Sequence, residues 1–111
     1  MFERGDLLLV PCPFSDLSAS KRRPVLALTI PDSHGDFIAL QVTSRAKLEH
    51  ALAIANSDLV EGALPVASFI RTDRIVTLNA SLVTRVFGRV SERVVSEAVE
   101  RFCVRIGYAP R

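Results

Sequence analysis

Gly5-Asp6-Leu7-Leu8-Leu9-Val10, ended by Pro11 and Pro13, and Pro24-Val25-Leu26-Ala27-Leu28-Thr29-Ile30, entered through Arg23, are the stretches on which the fold turns. Each is a short apolar run bordered by turn residues or proline, too brief for a buried helix, and it reads as a strand. Proline cannot donate to a sheet ladder, so it stops the first strand, yet it is tolerated as the first residue of the second. Between the two runs, Ser15-Asp16-Leu17-Ser18-Ala19-Ser20-Lys21-Arg22 is small and polar, the composition of a loop.

Outward from this core the same signals recur. Pro31-Asp32-Ser33-His34-Gly35-Asp36 is a string of turn residues, and Phe37 to Thr43 follows as a third strand. His50 to Ala55 and Leu64 to Arg71 give two more, separated by turns at Asn56-Ser57-Asp58 and Glu61-Gly62. Asp73 to Ala80 reads as a short turn of helix and a loop. Leu82 to Val90 sets Leu82, Thr84, Val86 and Gly88 against Val83, Arg85, Phe87 and Arg89, a period of two that predicts a last strand. After Ser91, an N-cap residue, Val94, Val95, Ala98, Val99, Phe102, Cys103 and Ile106 recur at helical spacing. Glu92 in the first turn and Arg105 in the last suit the helix dipole, and Gly107 with Pro110 stops the helix. Five or six short strands and one terminal helix describe a small, strongly bent sheet or open barrel plugged at its end by that helix.

Composition bounds what such a fold does. The chain has 111 residues, a length that suits one domain over residues 1–111, and 49% of them are hydrophobic, which excludes disorder. The longest apolar runs, Leu7 to Val10 and Ala51 to Ala55, fall far short of the roughly 18 residues that span a bilayer. Asp6 follows Arg4 too closely for a signal peptide, so a cytoplasmic protein is expected. Cys12 and Cys103 lack metal-ligand spacing and read as small buried hydrophobes, and neither a metal nor a cofactor is expected. The net charge of +2 conceals a bias. Residues 1–30 carry four basic and three acidic groups (+1), residues 31–70 two and five (−3), and residues 71–111 eight and four (+4). All but Lys21 and Lys47 of the cations are arginines, whose planar fork matches phosphate oxygens.

No paired-carboxylate spacing, glycine-rich phosphate loop, nucleophile elbow or metal motif is present, so any catalysis rests on few residues. The outstanding cluster is Lys21-Arg22-Arg23-Pro24, three cations where a loop enters a proline-stiffened strand. Together with Arg4-Gly5-Asp6-Leu7-Leu8-Leu9-Val10 and Pro13-Phe14-Ser15-Asp16, it resembles the N-terminal signature of the MazF/PemK toxin family of type II toxin-antitoxin systems. Gln41-Val42-Thr43-Ser44 resembles that family's strand ending in Thr-Ser, and Ile70-Arg71-Thr72-Asp73 its later Arg-Thr segment.

The resemblance implies an SH3-like barrel with a C-terminal helix, a homodimer, and a metal-independent endoribonuclease that cuts single-stranded RNA and is silenced by a cognate antitoxin. It implies Arg23 and Thr43 as catalytic residues, with RNA contacts from Ser15, Lys21, Arg22, Ser44 and Arg71. Elementary chemistry agrees with the first two. RNA carries its own nucleophile in the 2′-hydroxyl, so the protein's task is alignment and stabilisation of charge on the phosphorane. Arg23 stays charged and binds two oxygens at once, while Pro24 restricts it to an extended backbone. Thr43 adds a hydroxyl from a rigid strand end. The proton for the leaving 5′-oxygen falls to water or to Arg23 itself; His34 and His50 are read as turn and strand-opening residues.

Two other readings share the fold. A relative of the CcdB group would inhibit DNA gyrase through its helix without cutting RNA, and a plain SH3-like nucleic-acid or peptide module would bind without product. The Arg-Pro and Thr-Ser pairs favour the nuclease. Leu64-Pro65-Val66-Ala67-Ser68-Phe69 offers only Ser68 as a polar group, and Phe14 is the aromatic residue nearest the loop for base stacking. An acidic, apolar antitoxin tail would suit the basic groove.

Overall fold

A computed structural model describes residues 1–11 and 22–108. The strands are β1 (Asp6–Pro11), β2 (Arg22–Ala27), β3 (Asp36–Thr43), β4 (Ala51–Ile54), β5 (Leu59–Gly62), β6 (Ser68–Asn79) and β7 (Arg85–Val90), followed by the helix α1 (Glu92–Arg105). They form one sheet in the order β4-β6-β3-β2-β1-β7-β5, and every pair is antiparallel. The mainly β architecture with a terminal helix is the one expected, with seven strands in place of five or six.

The uninterrupted Leu7-Leu8-Leu9-Val10 run is explained by burial of the central sheet on both faces. Leu7, Leu26, Leu40, Val42 and Ile70 share one core with Val94, Val95 and Ala98 of α1. Leu8, Val10, Val25, Ala27, Phe37, Ala39 and Leu78 form a second core, closed by Phe2, whose ring meets Phe37 edge-on at 4.6 Å. Alternation within each strand divides its residues between the two cores.

Three elements differ from their expected form. Asp73 to Ala80, read as a helical turn and loop, continues strand β6 to Asn79, with a single 3-10 turn at Ala80–Leu82. The strand was hidden because its ladder with β3 is irregular: Val42 faces Ile70, Leu40 faces Ile75, and the polar Arg71-Thr72-Asp73-Arg74 is accommodated between them. The strand begins at Ser68 rather than Leu64, leaving residues 64–67 as a connection. The Glu61-Gly62 turn belongs instead to β5, an edge strand paired with β7. Gly62 has φ +77°, and a Cβ there would lie 2.3 Å from the Phe87 carbonyl oxygen and 2.7 Å from the Gly88 Cα. Only glycine permits that approach.

His50 is likewise not a strand residue; it sits at φ +62° just before β4. The helix keeps its expected bounds. Ser91 Oγ accepts from Val94 N–H at 3.4 Å. At the other end Tyr108 N–H donates to Cys103 O and Gly107 N–H to Val104 O, a Schellman motif with Gly107 at φ +90°. Its buried face is shorter than the periodicity suggested: Val94, Val95 and Ala98 are buried, Phe102 and Cys103 are half-buried, and Ile106 is exposed.

Candidate functional site

A cavity of about 570 Å³ opens where β2 and β3 end beside β1, β7 and the 62–66 connection. Its position follows from strand register. Val25 pairs with Gln41, Leu26 with Leu40 and Ala27 with Ala39, so the start of β2, with Arg22 and Arg23, and the end of β3, with Thr43 and then Ser44, lie beyond the same end of that ladder. All four border the cavity. Arg23 lies in an extended strand directly before Pro24, as the residue preceding proline prefers. Sequence reading had joined Arg23 and Thr43 through a resemblance; in the fold, neighbouring strands bring them to one mouth.

Thr43 ends β3, and its Oγ1 accepts from Arg45 N–H at 3.1 Å. An oxygen engaged as acceptor keeps its own proton to donate, so the hydroxyl is oriented and available to an anion. Ser68 Oγ, beneath, donates to Val66 O at 2.9 Å. The remaining wall is apolar: Leu9, Pro24, Val42, Ala63, Leu64, Pro65, Val66 and Phe87.

Arg85 is the residue that sequence analysis missed. It opens β7 opposite Leu9, is exposed, and lines the same cavity. The period of two had already placed it on the Phe87 side of its strand, but nothing in the sequence said which strand β7 would adjoin. With Arg22 and Arg23 it makes three guanidinium groups around an opening whose described lining residues include no carboxylate. Such an arrangement repels cations and concentrates anions.

Arg71 does not line the cavity. It is half-buried on β6 opposite Ala51 of β4, and its Nε has no hydrogen-bond partner among the described residues. Both Arg71 and Ser68 pair with β4, but they stand three residues apart, an odd spacing along the strand, and only Ser68 lines the cavity. Ser15, Lys21, Phe14 and Cys12 lie outside the described residues. Cys103 is half-buried rather than fully buried, and His34 occupies the expected turn, its backbone N–H donating to Asp32 Oδ1 at 2.9 Å. Among the described residues no three His, Cys, Asp or Glu side chains come together as metal ligands, and no helix is long and apolar enough to cross a membrane.

The comparisons with known proteins fall on one family. Residues 3–105 match the model of the PemK-like, MazF-like toxin of type II toxin-antitoxin systems. No curated protein matches the chain significantly by sequence. Among solved structures, an endoribonuclease from a mycobacterial species is 19% identical, covering 98% of this chain and 94% of its own, with a TM-score of 0.69. Its counterpart in complex with a cognate antitoxin is 18% identical, covering 98% and 96%, with a TM-score of 0.71. A Deinococcus radiodurans MazE-MazF complex is 22% identical, covering 96% and 97%, with a TM-score of 0.73. At these identities the structural likeness speaks to the fold, and the family match to descent. The chain belongs to the PemK-like, MazF-like toxin family of type II toxin-antitoxin systems.

Proposed function

We propose that this chain is the toxin of a type II pair and a metal-independent, sequence-preferring endoribonuclease that cleaves single-stranded RNA in the cytoplasm and so inhibits translation and growth. The observation that carries the reading is the shared mouth: Arg23 and Thr43, from neighbouring strands, border one cationic cavity with Arg22 and Ser44.

The chemistry suits such a site. The substrate's 2′-oxygen attacks the adjacent phosphorus, the bond from phosphorus to the 5′-oxygen breaks, and a 2′,3′-cyclic phosphate and a 5′-hydroxyl remain. The 2′-hydroxyl proton is lost to water, and the 5′-oxygen takes one from water or from Arg23. Charge builds on the non-bridging oxygens as phosphorus becomes five-coordinate, and a guanidinium fork answers two of them together. One well-placed donor of this kind contributes about 3–4 kcal/mol. Thr43 donates to the same phosphate, its oxygen held by Arg45 N–H. Arg22, Ser44 and Arg85 hold the flanking backbone, with Ser15 and Lys21 from the 12–21 segment. Arg71, apart from the cavity, is the weakest member of the proposed RNA surface.

The working unit is a homodimer, with RNA laid across the groove between subunits. An antitoxin occupies the same groove with an acidic and apolar tail, whose carboxylates replace phosphates and whose affinity falls as salt rises. Solved family members in complex with antitoxins support a protein partner of this kind.

Incubating the purified protein with RNA in EDTA and mapping fragment ends tests the reading. Products with cyclic phosphate and 5′-hydroxyl ends, lost in Arg23→Ala, are expected. Binding without product, or growth arrest through DNA gyrase, would instead favour the binding-module or CcdB-like alternative.

A further inference from the structure

The apolar half of the cavity is not explained by phosphate chemistry. Leu9, Leu64, Val66 and Phe87 face an opening rimmed by Arg22, Arg23 and Arg85. A bare anion gains nothing from that wall, and an uncharged apolar ligand gains nothing from that rim. An unpaired nucleotide joins the two, a flat base on one side and phosphate on the other. The cavity volume of about 570 Å³ lies inside the range, roughly 300–1,000 Å³, of clefts that enclose a small organic molecule.

Phe87 occupies a special place in the sheet. Leu7 pairs with Gly88 while Leu8 pairs with Val86, so Phe87 is the extra residue of a β-bulge in β7. A bulge breaks the ladder locally and re-aims a side chain, and bulges concentrate beside binding sites. Here the neighbour on β7 is Gly88, which has no side chain to compete for space, and Gly62 packs against the bulge backbone so closely that no Cβ fits. That approach anchors the start of the 62–66 connection beside β7, and the connection lines the same cavity as Phe87 and Leu9. Phe87 is half-buried, packed against the helix-side core at one edge and open to the cavity at the other. It is the aromatic residue among the described residues that line the site.

We propose that Phe87, which borders the arginine-rimmed cavity at the β7 bulge, is the stacking platform for an RNA base next to the scissile phosphate. The inference rests on the ribonuclease reading and deepens it. Single-stranded binding combines a cationic track with aromatic stacking, and stacking is available only to an unpaired base, so the same contact selects single strands over duplex. Sequence preference at that position then follows from which bases fit between Phe87 and the Leu64–Val66 wall.

The test crosses protein variants with substrate variants. A short RNA carrying the mapped cleavage site is prepared intact and with a base-less ribose at each position in turn, and single-turnover cleavage rates are measured. The wild-type protein should lose about 5- to 150-fold at one position bordering the cut, the factor expected for one stacked base. Phe87→Leu, which keeps apolar volume but removes the ring, should be slower on the intact RNA by a similar factor and lose nothing further at that position. Phe87→Tyr, which restores the ring, should recover most of the rate. If Phe87→Leu cuts the intact RNA at the wild-type rate, or shows the wild-type profile of base removal, the proposal is overturned, and the wall serves a protein side chain instead. Wild-type protein that cuts no RNA would overturn the ribonuclease reading, whereas active wild type with an indifferent Phe87→Leu overturns the base platform alone.

Discussion

Strand β7 carries two arginines four residues apart whose surroundings are opposite in sign. Arg89 is clamped: its Nε donates to Asp6 Oδ1 at 2.7 Å, with Glu3 at 3.2 Å and Glu61 at 3.8 Å. The hydrogen bond and charge of Asp6 hold its guanidinium still further above its ordinary value. Asp6 is only 2% exposed and also accepts from Glu3 N–H at 2.8 Å. Arg85 stands beside Arg22 and Arg23 at a cavity whose described lining residues include no acid. The same residue type thus serves cohesion at one end of the strand and, at the other, borders a cavity with no acid among its described lining residues. The difference lies in the partner: carboxylates from the β1 entry and from β5 converge on Arg89, while Arg85 shares its cavity with two more cations. Cations gathered without acids cost stability through self-repulsion, and an arrangement of that kind is explained by an anion that completes it.

The contrast is sharpest at its extremes. Arg23→Ala should lower RNA cleavage about 100- to 1,000-fold, the loss of one donor to developing charge, while leaving the melting temperature within about a degree or two, since Arg23 is exposed. Asp6→Ala should do the reverse. It strips Arg89 of its closest partner and leaves Glu3 N–H unsatisfied, so the melting temperature should fall by roughly 5–10 °C, with cleavage per folded molecule retained. A loss of stability in Arg23→Ala or of specific activity in Asp6→Ala would erase the division between the two sites.

Arg85→Gln probes the boundary. Affinity for an RNA made uncleavable by a 2′-deoxy residue at the cut should drop about tenfold, and the slope of log affinity against log salt should flatten by about 0.7, one phosphate contact fewer. An unchanged salt slope would move Arg85 to the cohesive class. The smallest effect concerns a paired arginine at the surface. Arg4 binds Glu92 through two hydrogen bonds of 3.2 and 3.0 Å. Hydrogen bonds from Arg4 and Ser96 hold the Glu92 carboxyl below its ordinary 4.5. A depressed carboxyl contributes stability above its unfolded value that is lost as pH falls through the folded one. Glu92→Gln should therefore melt slightly lower near neutrality, and the gap from wild type should close as pH falls below the ordinary carboxyl value of 4.5. A gap that widened on acidification would contradict the pairing.

Much of this was legible in the chain. Short apolar runs between prolines and turns give strands by period and length, and Ser91, Glu92, Arg105 and Gly107 bracket the helix because capping is a local matter of a few residues. The Arg23-Pro24 pair is also local: proline dictates the backbone of the residue before it. Strand β6 was not legible past Arg71, because Arg71-Thr72-Asp73-Arg74 breaks the alternation, and only pairing with β3 on either side of that break makes one strand of it. The short Arg-Thr motif groups Arg71 with the RNA contacts, yet Arg71 stands outside the cavity that Ser68 of the same strand lines.

What the sequence determined by itself is therefore what depends on near neighbours: strand and helix identity, caps, the stiffened arginine, the family signature. The tertiary structure alone decided which distant residues share a face. Pairing of β2 with β3 brings Arg23 and Thr43 to one mouth, sheet order brings β7 beside β1 and Arg85 to the cavity, and a one-residue bulge falls at Phe87 on its wall. Side chains alternate with a period of two, so a single inserted residue changes which face a strand presents. That information resides in the pairing of strands and not in any strand alone.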